Sequence, residues 1–174
     1  VLVAPRCAAC GVPLDTPSAG PVCAACWNAV RALTPPVCDS CGDPLPSWRT
    51  ISRESAVCPR CRRGRRFVSR SRAAGEYDGA LRAIIHAFKY GGRRTLAVRL
   101  AGLMQREGRD VLDGADCVVA VPLHWRRRRA RGFNQAADLA GVIHSQLDHR
   151  HLRTVPQFQQ RQRQADVVVQ IARG

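Results

Sequence analysis

Four Cys-x-x-Cys pairs crowd the first third of the chain: Cys7/Cys10, Cys23/Cys26, Cys38/Cys41 and Cys58/Cys61, all but one of its nine cysteines. Two thiolates separated by two residues turn back on one metal ion, and two such knuckles complete a tetrahedral four-thiolate zinc site that is closed to water and therefore structural. The pairs form a repeat, because Cys7-Ala-Ala-Cys-Gly-Val-Pro-Leu14 recurs as Cys38-Asp-Ser-Cys-Gly-Asp-Pro-Leu45, and a second pair follows each copy. Two structural zinc ions in tandem zinc ribbons are the expectation.

The repeat favours pairing in sequence order, with Cys7, Cys10, Cys23 and Cys26 around one zinc and Cys38, Cys41, Cys58 and Cys61 around the other. The intervening loops of 12 and 16 residues suit ribbons, because closure entropy grows slowly with loop length. A crossed arrangement, first knuckle with fourth, is the alternative. Gly11 and Gly42, just after the second Cys of a knuckle, fit a turn at positive φ, and Pro13 and Pro44 keep the next segment extended. Disulfides would require an export context, and Val1-Leu-Val-Ala-Pro-Arg6 has too short an apolar run for a signal. A redox Cys-x-x-Cys normally occurs once, at a helix start beside a strand. Cys117 lies apart in an apolar run and is expected to be a small buried hydrophobe.

Residues 1 to 66 contain few large apolar side chains, so this double zinc ribbon draws its folding free energy from metal. Residues 67 to 174 form the second domain. The longest apolar run, Cys117-Val-Val-Ala-Val-Pro-Leu123, falls short of a membrane span, and a soluble, cytoplasmic protein is expected. The first residue is Val, which points to an alternative start codon or a fragment. The formal charge of +15 and pI near 11 imply attraction to polyanions. Lys89 is the only lysine, and arginine grips phosphate with a rigid bidentate fork, although codon usage in a GC-rich genome also raises arginine. Seven arginines, at 60, 62, 63, 65, 66, 70 and 72, mark the domain boundary, either as a solvated linker or as a strip facing nucleic acid. Phe67 is the one aromatic there, which counts against a base-stacking platform.

The second domain must position any ligand chemistry. Ser69 to Tyr77 reads as a short strand, and Asp78 as the N-cap of a helix carrying Leu81, Ile84, Ile85 and Phe88 and ended by Gly91-Gly92. A second helix is expected from Thr95 to Arg109, burying Leu96, Leu100, Leu103 and Met104. Cys117 to Leu123, closed by Pro122, has the continuous apolar character of a buried parallel strand. After a polar loop, Phe133, Ala136, Ala137, Ala140, Ile143 and Leu147 recur at helical spacing, so Asn134 to Asp148 is expected as a helix on that strand. Leu152 to Val155 and part of Ala165 to Ala172 are further strands, separated by a loop from Pro156 to Gln164. The fold class is therefore α/β.

In open α/β sheets ligands bind beyond the carboxyl ends of strands. The loop from Pro122 to Phe133 lies there, and it is read as bringing His124, Arg126, Arg127, Arg131 and Gly132 to a helix N-terminus that attracts anions. The plainer reading is an exposed basic turn. His124 is a candidate phosphate donor, and Trp125 a shield for the loop.

The four cysteine pairs, Tyr77-Asp-Gly-Ala-Leu-Arg82, Phe88-Lys-Tyr-Gly-Gly92, Val121-Pro-Leu-His124 and Arg131-Gly-Phe-Asn-Gln-Ala136, in this order, resemble the ComF family, double zinc ribbon and phosphoribosyltransferase-like proteins associated with DNA uptake in competent bacteria. The resemblance implies a partial type I phosphoribosyltransferase, Rossmann-like parallel-sheet domain. The Pro122 to Phe133 loop would meet the pyrophosphate of 5-phosphoribosyl 1-pyrophosphate (PRPP) with Mg2+, and Lys89 would approach the same site. The family's acidic loop, Asp-Asp-x-x-Thr-Thr-Gly, does not occur in the chain, and after Arg150 the match fades as in a truncated or frameshifted sequence. The implied function is binding of single-stranded nucleic acid or a phosphate ligand without catalysis. The alternatives are a Mg-PRPP-dependent transferase, or a zinc-ribbon scaffold for another protein such as a DNA-translocating helicase.

Overall fold

The computed structural model describes residues 4–46, 56–64, 68–113, 115 and 117–146, and the backbone of two short strands at 153–154 and 168–169. The cysteine repeat is also a structural repeat. In the first copy Arg6 bridges Pro13 antiparallel, the Cys7 N–H donates to Val12 O at 2.8 Å and the Leu14 N–H to Pro5 O at 2.9 Å. In the second, Val37 bridges Pro44, Cys38 donates to Asp43 O at 2.8 Å and Leu45 to Pro36 O at 2.8 Å. Gly11 (φ 77°) and Gly42 (φ 71°) adopt the left-handed turn expected of them. The later pair of each copy opens a one-turn helix: α1 (Ala24–Asn28) begins after Cys23, and α2 (Pro59–Arg63) after Cys58.

The strand expected from Ser69 to Tyr77 does not form. Polar groups of this segment are committed to the ribbons instead: the Ser71 N–H donates to Ser40 O at 2.7 Å, Arg72 Nη1 to Asp39 O at 3.0 Å and the Glu76 N–H to Arg31 O at 2.9 Å. α3 (Gly79–Tyr90) then buries Leu81, Ile84, Ile85 and Phe88, the stripe read from sequence. Asp78 is its N-cap, but the carboxylate is drawn away to Arg31 and makes no capping bond. α4 (Leu96–Glu107) is shorter than expected because Gly108 breaks it before α5 (Arg109–Leu112). Its buried stripe is Leu96, Ala97, Leu100 and Ala101, and Leu103 and Met104 are half-buried.

β1 (Cys117–Ala120) is likewise shorter than the apolar run. Alternation along the strand puts Val118 in the core, and Cys117, expected there, is half-buried. Where a loop was expected, Trp125–Arg131 forms helix α6. Arginine is a strong helix former, and the His124 side chain accepts the Arg126 N–H at 3.3 Å to start the turn. Gly132 (φ 76°) closes α6 in the left-handed conformation, so it caps a helix C-terminus rather than opening an N-terminus. α7 (Gln135–Gln146) follows, with Asn134 Oδ1 accepting the Ala136 N–H at 3.1 Å. It buries Gln135, Leu139, Ala140 and Ile143; Ala137, placed on the core face by periodicity, is exposed. Leu147 and Asp148 lie outside the described residues.

β2 (Arg153–Thr154) and β3 (Val168–Val169) flank β1 in the order β2-β1-β3, both parallel to it, with Cys117 opposite Arg153 and Val119 opposite Val168. The rest of the two expected strand segments, and the loop between them, lie outside the described residues. One core cluster runs from the first ribbon into the helices: Cys7, Val22 and Trp27 pack with side chains of α3, α4, β1 and α7. Phe88 meets Phe133 edge-on at 5.8 Å within it. Among the described residues no helix is long and apolar enough to cross a membrane.

Candidate zinc centres and a cationic face

Cys7, Cys10, Cys23 and Cys26 bring their sulfurs within 4.8 Å of one another, as do Cys38, Cys41, Cys58 and Cys61. Pairing is therefore in sequence order, and the crossed arrangement is excluded. Zinc–thiolate bonds of about 2.3 Å give a tetrahedron with edges of about 3.8 Å. The observed Sγ separations are 3.9 Å for Cys7–Cys26, 3.8 Å for Cys10–Cys23 and 3.7 Å for Cys41–Cys58, far beyond a disulfide bond. Each cluster fits a structural zinc ion.

Backbone donors prepare the sulfurs. The Cys23 N–H reaches Cys7 Sγ, and the Cys58 N–H reaches Cys38 Sγ, both at 3.3 Å. Burial pushes the Cys7 thiol up, but hydrogen bonds from Cys23, Cys10 and Ala9 outweigh it and hold the group at about 6. Cys38 sits at about 6 for the same reasons, its donors being Cys41, Cys58 and Ser40. Burial, and then thiol neighbours, drive Cys26 up, and burial dominates the rise at Cys41 and Cys61. Cys7 and Cys38 thus form thiolates readily, whereas Cys26, Cys41 and Cys61 resist, a penalty that a central divalent cation removes.

Of the basic residues picked out by sequence, Arg131 on α6 meets the end of α3, Lys89 and Arg127 share its field, and His124 and Arg126 lie at the start of α6 beside Trp125. Arg131 Nη2 donates to the Tyr90 hydroxyl at 3.1 Å, the guanidinium lies 4.8 Å from the Tyr90 ring centroid, and Nη1 donates to Gln135 Oε1 at 3.0 Å. Lys89 belongs to the same field: burial lowers its pKa, the Tyr90 hydroxyl opposes that, and the charges of Arg131 and Arg127 lower it further. Arg126 lies over the Trp125 ring at 5.2 Å and Arg129 at 5.8 Å. Trp125 is 59% exposed, so it stands out from the surface rather than shielding a loop. His124 uses Nδ1 to accept the Arg126 N–H, which leaves Nε2 as its donor. An open cleft of about 450 Å3 is lined by Trp125, Arg128, Arg129 and Gly132.

Residues 1–62 match the double zinc ribbon domain. Over 135 residues the chain is 31% identical to the DNA utilization protein YhgH of Salmonella typhimurium, and equally to that of Salmonella typhi. The chain is thus similar to a double zinc ribbon domain at its start and to these DNA utilization proteins over most of its length. The matched region covers 75% of the chain and 56% of each relative, so the chain spans about half the length of these curated relatives. No solved structure matches it.

The chain thus combines two ribbons, each with a four-cysteine metal cluster, with an arginine-rich helix flanked by exposed aromatic rings. Sequence reading passed over Tyr90 and Gln135, which hold Arg131 from two sides. Both stand inside the motifs Phe88-Lys-Tyr-Gly-Gly92 and Arg131-Gly-Phe-Asn-Gln-Ala136, and that was the available signal. It also passed over Arg128 and Arg129, whose register becomes definite only when the segment is helical. Chemically, guanidinium forks bind phosphate oxygens, and exposed rings stack on bases.

Proposed function

We propose that this ComF-like chain binds single-stranded nucleic acid through the face formed by α6 and the end of α3, with the zinc ribbons keeping it folded, and that it acts in DNA uptake in the cytoplasm. The observation that carries the reading is the shared field of Lys89, Arg127 and Arg131, with Arg131 on the exposed Tyr90 ring (65%) and the exposed Trp125 (59%) on the same helix α6. Phosphate contact by the cations and stacking by the rings are the two elements of sequence-tolerant single-strand binding. The charge of +15 and the relatives named for DNA utilization support it. The phosphoribosyltransferase-like parallel sheet serves, in this reading, as the platform for that face, without group transfer.

The test is fluorescence anisotropy of labelled oligothymidylate over a salt series with the zinc-loaded chain. The logarithm of the affinity is expected to fall linearly with the logarithm of salt concentration, as counterion release requires. Binding absent at low salt, or indifferent to salt, contradicts the reading.

One observation favours a second reading, a Mg-PRPP-dependent transferase: Arg131 is held rigidly by Tyr90 and Gln135 beside Lys89, as a pyrophosphate clamp would be. Magnesium-dependent thermal stabilisation by PRPP, weakened in Arg131→Ala, is its signature.

A further inference from the structure

A second cleft, distinct from the α6 face, lies where the first ribbon meets the start of α4. Its volume is about 550 Å3, and its walls are the Pro17–Pro21 stretch and Leu14 on one side and Arg93, Leu96, Val98 and Arg99 on the other, with Arg6 at the rim and Trp27 at the base. Among the described residues no aspartate or glutamate lines it. Arg6, Arg93 and Arg99 form no ion pair among the described residues; Arg6 bonds Gly11 O, and Arg99 lies over the Trp27 ring. Val98 is 53% exposed on a helix whose other large aliphatics are buried or half-buried.

We infer that this cleft is a docking site for an acidic peptide segment of a partner protein, one aliphatic side chain entering between Leu14 and Val98 and flanking carboxylates meeting Arg6 and Arg93. Charge complementarity selects an anionic guest and disfavours a second copy of a chain that carries +15. The lining selects peptide over polynucleotide. The one aromatic lining it among the described residues, Trp27, is 9% exposed and covered by Arg99, so that ring offers no face to a base, whereas prolines, leucine and valine suit an aliphatic anchor. The inference goes beyond the nucleic-acid reading and uses different residues.

The test titrates two labelled peptides into the full, zinc-loaded chain, one of glutamates around a single leucine and one of glutamates alone. The all-glutamate peptide measures attraction to the basic surface as a whole. The leucine peptide is expected to bind about tenfold more tightly, and Val98→Gln and Arg93→Gln should each abolish that preference without changing zinc content. Equal affinity for the two peptides, or a preference surviving both substitutions, overturns the inference. So does oligothymidylate whose binding falls about tenfold in Val98→Gln, which would give the cleft to nucleic acid instead. Oligothymidylate binding that depends on Arg126 and Arg127 alone reports on the α6 face and leaves the peptide result to stand by itself.

Discussion

The guanidinium of Arg99, on α4, lies 4.5 Å from the ring centroid of Trp27, on the ribbon helix α1. Around this contact Trp27 is 9% exposed within the core shared with α3 and α4, and Arg31 pairs with Glu76 and Asp78 at the edge of the same seam. The ring's burial carries most of the energy, since cation–π attraction at an exposed arginine is worth about 0.5–1 kcal/mol. Trp27→Ala should cost about 3–5 kcal/mol, and Arg99→Ala about 0.5–1 kcal/mol, in urea unfolding of the zinc-loaded chain. A Trp27→Ala cost comparable to that of Arg99→Ala would show that the ribbon does not share the core.

The two zinc centres should differ in reach. Cys7 belongs to the core cluster, while Cys38 is buried outside it, within its own ribbon. Loss of the first zinc in Cys7→Ser is expected to speed amide hydrogen exchange through α3, and loss of the second in Cys38→Ser to leave α3 protected. Elemental analysis should give two zinc ions per native chain and one in each variant. Equal exchange in α3 for the two variants would contradict the asymmetry.

The paired knuckle glycines separate conformational strain from crowding. Alanine in the left-handed region costs about 1–2 kcal/mol at either position. At Gly11 a Cβ meets nothing within 4 Å, whereas at Gly42 it comes to 2.9 Å from the Ser71 carbonyl oxygen. Gly42→Ala should therefore destabilise more than Gly11→Ala and displace residues 70–72 from the second ribbon. The measurement is thermal unfolding of both variants with zinc content checked alongside.

These outcomes mark which parts of the molecule were legible in its sequence. The knuckles were, because thiolate spacing, glycine φ and proline rigidity act within a few residues, and α3 was, because Leu81, Ile84, Ile85 and Phe88 make an unambiguous stripe. α6 was not, because a run of arginines has no apolar period and its start rests on His124. Ser69 to Tyr77 resembles a strand until Ser40, Asp39 and Arg31 claim its hydrogen bonds, contacts made across 31 to 45 positions. Gln135 illustrates a third cause: a polar residue at a helix start reads as solvent-facing, yet it is 3% exposed, with its oxygen on Arg131 and its Nε2 without a partner among the described residues.

Lys89 offers a direct view of the cationic face, since a single lysine gives a single side-chain signal. Its pKa lies below the usual 10.5, chiefly through burial. The shift is downward for a cation, so the charged amine opposes folding at lower pH, and this opposition fades as pH rises through the folded value towards 10.5. A bound phosphate favours the charged form. NMR titration of the lysine side chain should show a depressed pKa that rises when oligothymidylate is added, and a pKa unmoved by saturating oligonucleotide would remove Lys89 from the interface.

The central claim is that arginines of α6 contact nucleic-acid phosphates. Comparing the salt dependence of oligothymidylate binding between the native chain and Arg126→Gln/Arg127→Gln tests it most directly, because removing one phosphate-neutralising cation lowers the log–log slope by about 0.7 for a single strand. The account predicts a slope shallower by about 1.4 with two zinc ions still bound. An unchanged slope in a fully folded, zinc-loaded variant would contradict it.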